Sequence, residues 1–227
     1  MIAYWSKCVP NESILVAYGG PKREFDAISH EQKFFVDDPR LRTRDHQREF
    51  QSYTQLLQSA AEFLKARPEF QFIYFSEFDH LPLIPDLNER QIKQLTREGA
   101  DLLAFHVHRV DDTNNPHFLY HAADDKFMSY WAKITRRPEP EVVLSMFGTG
   151  SFWTREAFCA VGAAEEPFPI YMELYLPTLA HHLGFRVRDF AEQNRFVRAL
   201  TDETHHLDQA RKEGAWTLHP VKQLWDK

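Results

Sequence analysis

Glu77 and Asp79 are the two residues whose types and spacing most directly suggest chemistry. They follow the run Phe72-Ile73-Tyr74-Phe75-Ser76. The stretch from Phe70 to Phe75 is bulky and shows no 3.6-residue period, so it reads as a buried strand. On an extended chain alternate side chains point the same way, and carboxylates at i and i+2 share one target. Crowded carboxylates repel unless a positive group lies between them. A hard divalent cation carrying a phosphate-bearing ligand meets that need. Where a strand leaves an α/β sheet, its last side chains face the crevice in which such folds bind ligands. A solvated acidic turn capping a strand would have the same sequence.

The 12 histidines are the other source of reactive groups. His106 and His108 stand at i and i+2 on an expected strand and would share a face. His181-His182 and His205-His206 are adjacent pairs, and His80 lies beside Asp79. A zinc hydrolase would need H-E-x-x-H or metal-spaced Cys/His sets, and neither occurs. Most histidines therefore read as structural or surface residues, with His80 kept as a neighbour of the acidic pair. The chain has no G-x-S-x-G elbow, no G-x-G-x-x-G and no G-x-x-x-x-G-K-[ST]. These absences count against a serine hydrolase, a dinucleotide-binding fold and a P-loop NTPase.

The 227 residues suffice for one large domain with a proper core, and a hydrophobic share of 43% with 26% charged residues suits a globular protein. A net charge of −6 gives no general attraction to nucleic acid or anionic membrane. Cys8 and Cys159 are far apart and match no thiol metal motif. They suggest a reduced, cytoplasmic protein, with a single bridge as the alternative. The opening residues lack the basic-then-apolar pattern of a signal peptide, and no stretch approaches 18 apolar residues, so no transmembrane segment is expected.

The elements that must position these residues alternate along the chain. Ser13 to Gly20 reads as a first strand ending in a glycine turn, and Lys33 to Asp38 as a second. Asp45 to Arg67 is the clearest helix, with Phe50, Tyr53, Leu56, Leu57, Ala60, Ala61 and Leu64 at three- and four-residue steps. Asn88 to Arg97 is a further helix ended by Gly99, Asp101 to Val107 a strand, Asp111 to His117 a polar loop and Asp124 to Thr135 a helix. Val142 to Phe147 reads as a strand running into Gly148-Thr149-Gly150, with Thr154 as the cap of a helix. Glu173 to Leu183 is a helix whose first turn Pro177 limits, and Phe185 to Phe190 alternates like a strand. Strands alternating with helices predict one α/β domain with a mixed, mostly parallel sheet flanked by helices.

Taken in order, these motifs resemble those of nucleotide-diphospho-sugar transferases with the Rossmann-like GT-A fold, in particular family-2-like glycosyltransferases. The series is the turn Tyr18-Gly19-Gly20, the acid-x-acid Glu77-Phe78-Asp79, the glycine passage from Phe147 to Phe158, the helix-opening Tyr171-Met172-Glu173-Leu174, and His219-Pro220-Val221-Lys222. It spans roughly residues 14 to 222. Glu77 stands where the family usually has Asp, and Met172-Glu173 where related inverting enzymes carry Glu-Asp.

The resemblance implies a metal-dependent glycosyltransferase that moves a sugar from a UDP- or GDP-type donor to a saccharide or other hydroxyl acceptor. Residues 13–125 would form the donor half and 140–222 the acceptor half. Asp79 and His219 would hold Mn²⁺ or Mg²⁺ against the donor's phosphates, with Glu77 nearer the ribose or reaching the ion through water. Glu173 would be the general base of an inverting transfer, kept ionised by its helix N-terminus. Tyr18, Gly19 and Gly20 would border the base pocket, and Gly148 and Gly150 would let the backbone approach the sugar or acceptor. Trp153 or Phe152 would stack on a ring, and Lys222 would meet a phosphate. The acceptor would sit among the loops Asp111–His121 and Thr201–Gly214. A catalytically silent nucleotide-sugar-binding protein is the second reading. A nucleotidyltransferase, for which Gly19-Gly20-Pro21-Lys22-Arg23 is a faint match, is the third.

Overall fold

A computed structural model describes residues 2–42, 54–165, 168–190 and 206–221 of the protein. Helix α1 (Ile2–Trp5) precedes β1 (Val16–Tyr18), α2 (Lys22–Ala27) and β2 (Lys33–Phe35). After α3 (Thr54–Lys65) come β3 (Phe72–Ser76), β4 (Leu81–Pro82), α4 (Leu87–Glu98), β5 (Leu102–Ala104) and β6 (His108–Arg109). Helices α5 (Pro116–Ala122) and α6 (Asp125–Ile134) lead to β7 (Leu144–Ser145), β8 (Gly150–Thr154), α7 (Arg155–Gly162), α8 (Met172–His182) and β9 (Val187–Asp189). Helix α9 (His206–Lys212) and β10 (Thr217–Leu218) follow. The expected helix from Asp45 is seen from Thr54 onward, its earlier residues lying outside the described ones.

The protein is mixed α/β, and its largest sheet has the order β3-β8-β5-β9. β8 runs antiparallel to both β3 and β5, while β9 is parallel to β5. The expectation of a mostly parallel sheet is thereby corrected. The reason lies in the connections. A parallel neighbour needs a crossover that carries the chain back to the other end of the sheet, and the long connection into β8 instead leaves it at the end where β5 stopped. β8 starts from the link Phe147-Gly148-Thr149, which sits where β3 and β5 end: Phe147 N donates to Phe105 O at 2.8 Å, and Glu77 N donates to Thr149 O at 3.4 Å. A strand starting there can only run back. Strands β3, β5 and β9 still share one direction, so their carboxyl ends gather at a single edge of the sheet with the start of β8.

Alternation along the strands buries both faces of this sheet. Leu102 pairs with Trp153 on the face covered by α3, α7 and α8. Leu103 pairs with Phe152 on the face shared with Leu95, Phe105 and Phe190. Helix α3 presents Leu57, Ala60, Ala61 and Leu64 to the core at helical spacing. It meets α7 at Gly162, where a Cβ would stand 2.7 Å from Ala61 Cβ and 2.8 Å from Leu57 O, so the close approach requires glycine. Thr154 caps α7 as expected, its hydroxyl accepting from Ala157 N at 3.3 Å. Helix α8 is buried almost all round, which explains its lack of an amphipathic stripe.

Four further expectations change. The expected strand Val142–Phe147 shrinks to β7, and the glycines after it open a second strand, β8, instead of leading straight into a helix. The polar loop Asp111–His117 holds over residues 111–115 and then ends in α5, with Pro116 at its first position and Asn115 Oδ1 accepting from Phe118 N at 3.0 Å. Within the segment from residue 201 to 214, α9 replaces part of the expected loop. Residues 16–18 and 33–35 form a separate parallel two-stranded sheet. Both cysteines are free. Among the described residues no helix is long and apolar enough to cross a membrane.

Candidate functional site

The carboxyl end of β3 carries Glu77 and Asp79 to the sheet edge, and a second strand pair brings a partner from far along the chain. β4, just after the acids, pairs antiparallel with β10 through Leu81 and Leu218. That pairing places His219 beside Asp79, and Val221 N donates to Asp79 O at 2.8 Å. His219 Nε2 lies 3.1 Å from Glu77 Oε2 and 3.2 Å from Asp79 Oδ1. Ligand-capable atoms of the three residues all lie within 4.8 Å of one another. Asp79 has a side chain only 1% exposed, against 12% for His219 and 34% for Glu77, so the cluster faces solvent through Glu77.

The electrostatics follow from this enclosure. Burial works against a charged His219, but hydrogen bonds and charge from Asp79 and Glu77 outweigh it and raise its pKa to about 9. The imidazolium thus bridges the two acids. A cation held by two carboxylates and one imidazole would occupy the same place, displacing that proton. The donor set fits the expected ion: two carboxylates for a hard divalent metal, with a nitrogen that suits Mn²⁺. Glu77 stands as close to His219 as Asp79 does, so its carboxylate is a member of the cluster.

His80 supports the cluster from beneath. It is fully buried, with Nδ1 2.8 Å from Thr149 O and Nε2 2.9 Å from Tyr74 OH. Burial lowers its pKa to about 4 despite the Thr149 carbonyl, with His219 adding to the fall and Asp79 opposing it. A neutral imidazole donating from Nδ1 to the carbonyl and accepting from the tyrosine hydroxyl satisfies both bonds. Trp5 from α1 donates Nε1–H to His80 O at 3.2 Å. Gly150 is required here: a Cβ would stand 2.9 Å from His80 Cε1 and 3.0 Å from Tyr74 OH. The absence of a side chain there admits the His80 ring.

Glu173 sits at the start of α8 and is tied to the same link. Pro177 has no N–H to offer the carbonyl four residues back, and Met146 N takes that Glu173 carbonyl at 3.0 Å. The side chain then reaches Gly148 N through Oε1 at 3.1 Å and His117 Nδ1 through Oε2 at 3.2 Å. The carboxylate remains 26% exposed. Gly148 is confined by Met172 and Glu173, so its backbone serves Glu173 as a donor. His117 was hidden in the expected loop, and the only hint of it was the Asn-Pro start of α5.

Of the other expected residues, some are enclosed or tied elsewhere and some lie outside the described residues. Trp153 is fully buried, with Nε1 donating to Ser151 Oγ at 2.7 Å, and Phe152 is 2% exposed, so both are core and neither can stack on a ligand. Tyr18 and Gly19 belong to the small β1-β2 sheet, where the Tyr18 hydroxyl bonds to Glu24 and Gly19 lies against Leu41. That bond to Glu24 raises the Tyr18 pKa. Lys222 lies outside the described residues, as do His205 and the side chain of His206. His106 and His108 do not share a strand: His106 has a φ of 53° between β5 and β6, and His108 opens β6. His182 is buried and bonded to Thr135 and Val142. No protein-family model matches this chain, and no curated protein does.

Proposed function

We propose that this protein is a divalent-metal-dependent glycosyltransferase that takes a sugar from a nucleoside-diphosphate donor and gives it to a hydroxyl acceptor. The observation that carries the reading is the tie between two acid centres through Gly148-Thr149-Gly150. Thr149 O accepts from Glu77 N and lies 2.8 Å from His80 Nδ1, while Gly148 N donates to Glu173. Three consecutive residues span at most ~7 Å between their end Cα atoms, so the centres are held in fixed register at one sheet edge. Each supports a separate role. Glu77, Asp79 and His219 would hold Mn²⁺ or Mg²⁺, which supplies positive charge to a diphosphate leaving group. Glu173, with one oxygen on a backbone N–H and the other on His117, is oriented to take a proton from the attacking hydroxyl.

Calorimetry with UDP and GDP, each with and without Mn²⁺, tests the donor half. Metal-dependent binding is expected, and a folded protein that binds neither nucleotide with either Mn²⁺ or Mg²⁺ sinks the proposal. Glu173→Gln tests the other half. It should keep nucleotide binding and lose donor turnover, whereas nucleotide binding with no turnover even in the unaltered protein would favour a silent binding role.

A further inference from the structure

We propose that the aromatic side chains around Glu173 form a stacking subsite for a saccharide, with Tyr120 and Phe147 as its two platforms. Its identification as the acceptor rests on the glycosyltransferase reading above. Each oxygen of Glu173 leads to a different aromatic pair. Oε2 lies 3.2 Å from His117, whose ring stacks on Tyr171 at 4.5 Å and 27°, with Tyr120 5.6 Å beyond Tyr171. Oε1 accepts from Gly148 N, and the residue before it, Phe147, packs on the exposed His106 ring at 4.2 Å. Tyr120 is 50% exposed and Phe147 42%, so both rings are open to a ligand.

The mixture selects the ligand. A wholly apolar partner would strip water from Glu173 and His117 and return no hydrogen bonds, which is costly. A phosphorylated ring would bring negative charge against the Glu173 carboxylate. A neutral sugar has a face of C–H groups for the rings and an edge of hydroxyls for the carboxylate and imidazole, and it suffers neither cost. Helix α5 supplies His117 and Tyr120, and the link before β8 supplies Phe147, so the platforms ride on the two segments that also fix Glu173.

Saturation-transfer NMR and calorimetry with cellotriose and maltotriose, on the full chain and with or without UDP and Mn²⁺, test the assignment. At least one trisaccharide should bind. Tyr120→Ala and Phe147→Ala should each weaken binding about tenfold, the size of one lost stacking contact. Tyr120→Phe and Phe147→Tyr keep a ring and should keep binding. Failure of both sugars to bind, or binding unchanged in both alanine variants, overturns the subsite. UDP binding is read in the same samples. Ring-dependent sugar binding by a protein that binds neither UDP nor GDP with Mn²⁺ or Mg²⁺ upholds the subsite and removes the glycosyltransferase reading; nucleotide binding without sugar binding does the opposite.

Discussion

Glu77 and His219 stand 142 positions apart in sequence and 3.1 Å apart across the site. Nothing local holds them together. The pairing of β4 with β10 does so, and Asp79 closes the cluster 3.2 Å from the same imidazole nitrogen. This contact turns an acidic strand end, common on any protein surface, into a three-residue donor set. Removing one member should therefore affect the other two.

Mn²⁺ titration measures this directly. Asp79→Ala and His219→Ala should each weaken Mn²⁺ binding by more than ~10-fold, the lower end of what changes behind a metal's ligands already cost. Glu77→Ala should weaken it too, because its oxygen is as near the imidazole as that of Asp79. Titrations of Asp79→Ala and His219→Ala that match the unaltered protein would show that the cluster is an ion-pair network only.

The His80 shelf gives a second prediction, read as stability. Gly150→Ala drives a methyl group into His80 and Tyr74, and overpacking of this kind costs about 1–3 kcal/mol. His80→Ala leaves a cavity and removes one partner of the Thr149 carbonyl, with an expected cost of about 3 kcal/mol in urea unfolding. Both variants should also weaken Mn²⁺ binding, since His80 packs against His219 with ring centroids 5.8 Å apart. A Gly150→Ala protein with unchanged stability would mean that the ring has room to move.

The contrast between Asp79 and Trp153 shows what could be read before the fold was known. Asp79 and His219 stood out because acid-x-acid at a strand end and a late His have chemistry that does not depend on which face they occupy. Trp153 was expected to meet a ligand because an aromatic after glycines suits both a platform and a core. Only strand pairing decides between them: Trp153 faces Leu102 across β5 and β8 and is enclosed. The direction of β8 was equally hidden, since hydrophobic pattern encodes the face of a strand and not its polarity. His117 escaped notice because α5 is too short to show a period, although Asn115-Pro116 was a legible start signal.

Trp153→Ala should accordingly act on folding and not on ligands. The side chain is fully buried and its Nε1 bonds to Ser151, so the expected loss is about 3–5 kcal/mol. At temperatures where the variant remains folded, its Mn²⁺ affinity should match that of the unaltered protein. Weakened Mn²⁺ binding by a fully folded variant would return Trp153 to the site.

Acid sensitivity provides a last test, through histidines away from the acidic cluster. His121 is 5% exposed, and its Nε2 accepts from Tyr171 N at 3.0 Å, a bond that protonation destroys. Burial, aided by the charge of His117, lowers its pKa to about 4. Burial also lowers His182, which Arg137 pushes further down while the Val142 carbonyl and Glu141 oppose the fall. A histidine with its folded pKa depressed below the unfolded value of about 6.5 binds fewer protons in the folded state. Its contribution is then complete above pH ~6.5 and is lost as pH falls toward its folded pKa, about 4 for His121. Thermal melts should thus fall steadily from pH 6.5 to pH 4.5. His121→Gln keeps an acceptor for Tyr171 N without a titrating group, so its melting temperature should fall less steeply over the same range. An identical slope in the variant would exclude His121 as a source of the acid loss.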